Sequence, residues 1–327
     1  MITLIVSEFQ SRRSSYYWLC NALDLYTPVQ WEYARLNMSY TVTSKRKILK
    51  LIQNRVVSDY DDPRLFTLTG LRRRGIPPEA INKFVAKMGL TVAQTTVDPH
   101  LFDSVIRDHL NINAPRTMVV LEPLKLIISN YADLNLEPKI KVPNFPTDPS
   151  KESFHEVNVD SIVYIERSDY KDKGEKGFRR LTKEQTVGLK YLGLVLKVVE
   201  EHKNAEGGLT ELVVYAETAN DQNKPKAFIH WVCKPLFAEV RLFEQLFKSR
   251  NPDDKTAIPG GFLTDINKNT LTIHSNCAID EYLTKSAVYD RYQFERIGFF
   301  AVDPDSETSK HLVFNRTVSL KEDAGKK

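Results

Sequence analysis

Across 327 residues the chain is 42% hydrophobic and 27% charged, a balance that fills ordinary packed cores and at this length suggests two or three domains. Its formal net charge of +4 is too small for composition alone to imply nucleic acid, so any polyanion surface has to come from clustered cations. The three cysteines, Cys20, Cys233 and Cys277, lie far apart with no CxxC pair, which argues against a disulfide framework or a zinc site and for a reducing compartment.

Met1 to Val6 lacks the basic and apolar regions of a signal peptide. No apolar run approaches the length of a membrane span, so no membrane partner is expected. The first fifty residues read as mixed α/β. A helix is expected over residues 12–22 around Tyr16, Tyr17, Trp18 and Leu19, then an extended piece over 29–36. Residues 45–55 form a further helix with Ile48, Leu51 and Ile52 on one face.

The next section is helical. Asp61-Asp62-Pro63-Arg64 reads as a loop, followed by a helix ending in Arg72-Arg73-Arg74-Gly75, where Gly75 suits a C-terminal cap. Pro77-Pro78-Glu79 opens a helix whose Ile81, Phe84, Val85 and Met88 make an apolar stripe closed by Gly89. Asp98-Pro99 opens another, with Leu101, Phe102, Val105 and Ile106 facing inward. Such stripes are core faces. The triple arginine reads either as a solvated helix end, favoured by the helix dipole, or as a phosphate contact.

At Asn113-Ala114-Pro115-Arg116 the period changes to that of strands. Runs at 118–121, 126–129, 162–166, 187–199, 209–216, 228–232, 240–243, 271–274, 296–302 and 312–318 are β-branched or aromatic and separated by turn formers. Many short strands with few helices predict one or two antiparallel barrels. The stretches 143–150, 169–177 and 218–225 read as polar loops.

Several segments carry a family resemblance, in order along the chain. They are Glu8-Phe9-Gln10, then Pro28-Val29-Gln30-Trp31-Glu32-Tyr33-Ala34-Arg35-Leu36-Asn37, then Val42-Thr43-Ser44-Lys45-Arg46-Lys47. Next come Asp61-Asp62-Pro63-Arg64-Leu65-Phe66-Thr67-Leu68, Leu71-Arg72-Arg73-Arg74-Gly75 and Asn113-Ala114-Pro115-Arg116. Phe228-Ile229-His230-Trp231-Val232, Gln293-Phe294-Glu295-Arg296 and Phe314-Asn315-Arg316-Thr317-Val318 complete the set. The third of these resembles the lysine loop of class I aminoacyl-tRNA synthetases. Together they resemble the cytosolic, animal-type glutaminyl-tRNA synthetases over almost the whole chain.

The resemblance implies a multidomain α+β fold. Residues 1–47 would be the C-terminal end of a Rossmann-type catalytic domain, and 48–112 a helical bundle. Two anticodon-binding antiparallel β-barrels would follow, a proximal one from 113–157 and 233–327 and a distal one from 158–232. It further implies a cytoplasmic, ATP-dependent ligase of protein biosynthesis that joins glutamine to tRNA(Gln). ATP would enter as its Mg2+ complex, with no prosthetic group and no metal ligand set on the protein.

By the same resemblance Lys45, Ser44 and Arg46 are the catalytic group, since a mobile ammonium at the leaving pyrophosphate stabilises the developing charge. Arg35 and Leu36 would hold the adenosine, Thr43, Ser44 and Lys45 the phosphates, and Gln30 the substrate carboxamide. Arg116 and Gln293 would read the middle anticodon base, Arg179 and Arg180 the third. Thr91 and Gln94 lie in a segment that would line the inner corner of the tRNA. Thr43 replaces the family's usual methionine, a packing position. Ser11 and Val6 stand where the family has an acceptor-stem reader and an ATP contact. Of the two arginines for the first base, the positions hold Gly188 and Lys190, and only Lys190 keeps a charge.

The family's second ATP motif, His-x-Gly-His, is matched by no pair of histidines here, and the stretch before Glu8 departs from the family. An N-terminally truncated or alternatively begun chain, inactive by itself, is therefore expected. Two other readings stay open, a non-catalytic tRNA anticodon-binding module and the related glutamate enzyme. The sequence also leaves open a place in a multi-synthetase complex.

Overall fold

The computed structural model describes residues 2–148, 150–307 and 311–321; Pro149, within the loop expected at 143–150, lies outside them. Two compact units emerge. One comprises Met1–Leu71, Ile76–Ile106 and Gln245–Lys268, the other Arg72–Gly75, Arg107–Glu244 and Asn269–Lys327.

In the first unit β1 (Ile2–Val6) pairs in parallel with β2 (Val29–Tyr33), with helix α1 (Arg13–Ala22) between them in the chain. Parallel neighbours need such a crossover. A second parallel pair joins β3 (Leu36–Met38) to β4 (Thr95–Val97). Helices α2 (Lys45–Gln53), α3 (Leu68–Arg73), α4 (Pro78–Met88) and the start of α5 (Pro99–Asn113) complete it. Ile48 and Leu51 of α2 are buried with Val42, Val57 and Leu65, as the helical spacing predicts.

Two expectations shift here. Leu246 and Phe247 enter this same core, with Phe262, Leu263 and Ile266 packed on it. Gln245–Lys268, placed by the sequence within the proximal barrel, therefore belongs to the first unit because its apolar residues are spent there. On α4 the stripe is only partly core. Phe84 is buried against Phe102, ring centroids 4.8 Å apart, whereas Val85 is 51% exposed.

The second unit holds β5 (Arg116–Thr117), β6 (Val119–Val120), β7 (Pro123–Ile128), β8 (Lys139–Pro143), β9 (Phe154–Asn158) and β10 (Ile162–Glu166). They are followed by β11 (Val187–Leu189), β12 (Leu194–Lys203), β13 (Leu209–Thr218), β14 (Phe228–Ile229) and β15 (Val232–Cys233). The chain continues through β16 (Leu236–Phe243), β17 (Leu271–Ile279), β18 (Arg291–Phe294), β19 (Gly298–Val302) and β20 (Val313–Ser319).

Two seven-stranded sheets result, ordered β14-β11-β12-β13-β7-β10-β15 and β5-β18-β19-β20-β16-β17-β6. Most ladders are antiparallel, with parallel pairs at β13–β7, β11–β14, β16–β20 and β18–β5. The edges of each sheet explain its closure. In the second, the two edge strands β5 and β6 are separated in the chain by Met118 alone. In the first, edges β14 and β15 are separated by His230 and Trp231. A single short extended segment thus touches both edges, leaving no open edge to template aggregation.

Pro123–Ile128, expected with the proximal barrel, instead pairs with Leu209–Thr218 and Ile162–Glu166 in the other sheet. Its alternating burial, with Leu124, Leu126 and Ile128 inside, fits that sheet's core. The run at 187–199 is two strands, because Tyr191 (φ 65°) and Gly193 (φ 68°) turn the chain in the left-handed region. The core of the second barrel is aromatic. Phe294 stacks on Phe300 at 4.2 Å and meets Phe314 edge-on at 5.3 Å, offset geometries that aromatic quadrupoles favour.

Candidate nucleotide loop and RNA-reading surface

In the first unit Val42 anchors the lysine loop by burial at 2% exposure, and the next four residues, Thr43, Ser44, Lys45 and Arg46, are exposed. The loop is held from behind. Tyr40, at φ 58°, donates its N–H to Arg250 O at 2.9 Å, and Ser39 donates its N–H to Val97 O at 2.9 Å. Ser44 is the N-cap of α2 but its side chain makes no capping bond, so the hydroxyl is open to another partner. Lys45 and Arg46 make no ion pair among the described residues. Lys47 differs, being paired with Asp253 and lying 6.0 Å from the Phe262 ring centre. A helix start with open amides and two unpaired cations is a place where phosphate oxygens are stabilised.

Gln30 is buried at 5% exposure rather than lying on the surface. It shares a face of β2 with Glu32, to which its Nε2 donates at 3.4 Å, and Arg13 donates to the same carboxylate. Arg35 and Leu36 line a cavity of about 350 Å3 together with Tyr33, Val85, Met88 and Thr91. Thr91 is tied to the strand end, accepting the Ala34 N–H at 2.7 Å. Gln94 is exposed, three residues along the same loop.

In the second unit, Arg116 and Gln293 are partners in the parallel β5–β18 register. Arg116 is half-buried and its guanidinium makes no hydrogen bond or ion pair among the described residues, while Gln293 Oε1 is buried without a hydrogen-bond partner. Two groups left unsatisfied side by side in a folded protein call for an external partner. Lys190 lies close by on the other barrel, its Nζ donating to Glu295 Oε2 at 2.7 Å. Arg180 reaches Asp169 Oδ1 at 3.0 Å, and Arg179 is exposed.

Sequence reasoning missed the carboxylates behind these cations. Glu295 is 4% exposed and Asp169 wholly buried. Burial pushes the Glu295 carboxyl up, but Lys190, the Tyr191 hydroxyl and the nearby Arg116 charge outweigh it and hold the group below the usual range. Glu295 stood within a quoted segment, and only tertiary contact gives it a partner.

Gly188 has a steric cause. A Cβ there would sit 2.4 Å from the Phe228 ring and 2.9 Å from Pro225, so the ring occupies the room a longer side chain would need. Of the triple arginine, Arg72 is exposed, while Arg73 and Arg74 are half-buried and hydrogen-bonded. Arg72 stacks on Tyr289 at 4.6 Å, Arg73 holds Asp303, and Arg74 Nε donates to Thr317 O at 2.9 Å.

Comparison with known proteins accords with this layout. Residues 2–112 match the profile of tRNA synthetases class I (E and Q), catalytic domain, while 114–217 and 228–303 match the two anticodon-binding domain profiles of the same group. The chain belongs to the class I tRNA synthetases of the E and Q kind. Within that class it is similar to glutamine–tRNA ligases. It is 63% identical to a probable glutamine–tRNA ligase of Caenorhabditis elegans, with 98% of this chain aligned, and 55% identical to one of Drosophila melanogaster, with 99% aligned. A cytoplasmic glutamine–tRNA ligase of Arabidopsis thaliana is 42% identical, again over 99% of the chain. The chain spans 41% of the length of each of these relatives. No helix among the described residues is long and apolar enough to cross a membrane.

Proposed function

We propose that this chain supplies the lysine loop and the anticodon-reading surface of a cytoplasmic glutamine–tRNA ligase. In the reaction the glutamine carboxylate attacks the α-phosphate of ATP, which enters as its magnesium complex, and pyrophosphate leaves. The aminoacyl group of the resulting adenylate then passes to a ribose hydroxyl of the terminal adenosine of tRNA(Gln), and AMP leaves. Lys45 and Arg46, unpaired at the start of α2, stabilise the departing pyrophosphate, with Ser44 and Thr43 beside them. Arg35 and Leu36 hold the adenosine at the cavity they line. Gln30, buried and oriented by Glu32, presents its amide to the substrate carboxamide, a pairing that rejects a carboxylate because a mismatched buried polar group is costly. Thr91 and Gln94 face the inner corner of the tRNA. Arg179, Arg180 and Lys190 contact the bases flanking the middle one.

The observation that carries the RNA-reading half is the pairing of Arg116, without an ion pair, beside the unsatisfied Gln293 carboxamide. Arginine forks and amides are the groups that read unstacked base edges. Titration of the chain with the tRNA(Gln) anticodon stem-loop, and with a stem-loop altered at the middle base, tests it. Arg116→Ala is expected to cost about 1–3 kcal/mol for the first and little for the second. Equal losses for both loops would refute the assignment. For the catalytic half, the 327 residues alone are expected to give no ATP–pyrophosphate exchange with glutamine, since they hold only one side of the nucleotide grip. Exchange by the chain alone would overturn that.

A further inference from the structure

Glu295 and Arg296 form the turn between β18 and β19, where Arg296 adopts a left-handed φ of 67°. These two neighbours carry opposite charges across to the other barrel. The Glu295 carboxylate accepts the Tyr191 hydroxyl at 2.6 Å and Lys190 Nζ at 2.7 Å. Arg296 donates to both oxygens of the wholly buried Asp169, at 2.7 Å each, and Arg180 reaches the same carboxylate. The root of the turn is tied as firmly. Glu295 donates its N–H to Thr117 O at 3.0 Å and Gln293 donates its N–H to Pro115 O at 2.9 Å, so Arg116 lies between the two anchor points.

Lys190 is held at its backbone N–H, its carbonyl and its ammonium. Its N–H reaches Ile229 O at 2.9 Å, its carbonyl accepts Trp231 Nε1 at 2.9 Å, and its ammonium lies 5.0 Å from the Tyr191 ring centre. A buried carboxylate is costly to desolvate and adds little net stability even when paired. What such a group does supply is a fixed geometry for its partners.

We propose that Glu295 is a positioning residue of the RNA-reading surface. By holding Lys190 and Tyr191 against the turn that follows Gln293, it sets the spacing between the residues that read one anticodon base and those that read the next. The proposal rests on the RNA-reading role given above to Arg116 and Gln293. It differs in sign from plain electrostatics. Removing a negative charge beside a polyanion should tighten binding of every RNA, whereas loss of positioning weakens binding of the cognate loop selectively.

The test titrates the 327-residue chain, as wild type, Glu295→Gln and Tyr191→Phe, with the tRNA(Gln) anticodon stem-loop and with stem-loops altered at each anticodon base. Glu295→Gln is expected to lower the discrimination ratio about tenfold while altered loops bind as before or slightly tighter. Tyr191→Phe, which removes one bond to Glu295, should lower the ratio in the same direction by less. A Glu295→Gln chain that melts near the wild-type temperature and binds all loops tighter at an unchanged ratio overturns the proposal. If Glu295→Gln does not fold, an unchanged ratio in Tyr191→Phe overturns it equally. Wild-type chain that fails to discriminate would end the RNA-reading assignment and this proposal together, whereas discrimination that survives both substitutions ends only the latter.

Discussion

Arg73 and Asp303 are joined by two parallel hydrogen bonds, Nε to Oδ2 at 3.0 Å and Nη2 to Oδ1 at 3.1 Å, with the carboxylate wholly buried. Burial alone would raise the Asp303 carboxyl, but Arg73, the Asp305 N–H and Asn315 together hold it below the usual carboxylate range. Arg73 Nη2 also donates to Asp305 Oδ2 at 2.8 Å, so Asp303→Asn weakens the network without stranding the guanidinium and should cost about 1–3 kcal/mol in urea unfolding. A carboxyl depressed in the folded state contributes stability above its unfolded value, about 4, and loses it as pH falls through the lower folded value. The wild type should thus weaken on acidification below about pH 4 by an increment the asparagine variant lacks.

His155 gives a second pH dependence, in a milder range. Its Nδ1 donates to Asn144 Oδ1 at 2.7 Å, its ring stacks on Tyr282 at 4.5 Å, and its Nε2 is buried with no partner. Burial pulls the imidazole down from 6.5 to about 4, because a proton on Nε2 would find no acceptor. The unfolded chain binds that proton first, so stability should fall as pH drops from 6.5 towards 4 and level off below. The loss is roughly 3 kcal/mol at its limit. Urea titrations of His155→Gln across this window should show a flatter profile.

Arg72 and Arg179 are both exposed, but Arg72 stacks on Tyr289 whereas Arg179 has no such aromatic contact among the described residues. Arg72→Ala should cost about 0.5–1 kcal/mol of stability and leave the salt dependence of RNA binding unchanged. Arg179→Ala should leave stability unchanged and reduce the slope of log K against log salt by about 1.

Gly75, which ends the Arg72–Gly75 segment, is constrained both by its backbone and by its neighbours. Its φ of 94° lies in the left-handed region, and a Cβ there would meet Ala301 Cβ at 2.2 Å and Thr317 Oγ1 at 2.6 Å. Gly75→Ala combines backbone strain with a clash against packed atoms, so a loss above about 2 kcal/mol is expected by thermal melting.

Much of this was legible in local pattern. The 209–216 run and the second helix followed from periods of two and 3.6, and Asn204 with Gly207 marks the hairpin between β12 and β13. Lys139–Pro143 and Phe154–Asn158 escaped because polar and proline residues mask the pairing of two consecutive strands across the 144–153 loop. Arg72 to Arg74 misled because a run of like charge says nothing of the acceptors that wait for it. Gln30 and Glu32 are buried while their neighbours Val29 and Trp31 are exposed, at 59% and 53%, the reverse of what hydrophobicity predicts. The lysine loop was readable because its chemistry resides in consecutive residues. The juxtaposition of Arg116, Gln293, Lys190 and Glu295 was not legible, since it depends on which side chains the two barrels bring face to face.

The segment that closes the second barrel also carries Arg116, and this has a consequence for synthesis on the ribosome. Domains generally form as the chain emerges N-terminus first. Arg116 is translated well before Gln293, its ladder partner, and Val120 well before Ala278. Through that interval the segment lacks these ladder partners, and closing so large a loop is slow. A nascent chain stalled before Gln293 therefore lacks the Arg116–Gln293 pairing altogether.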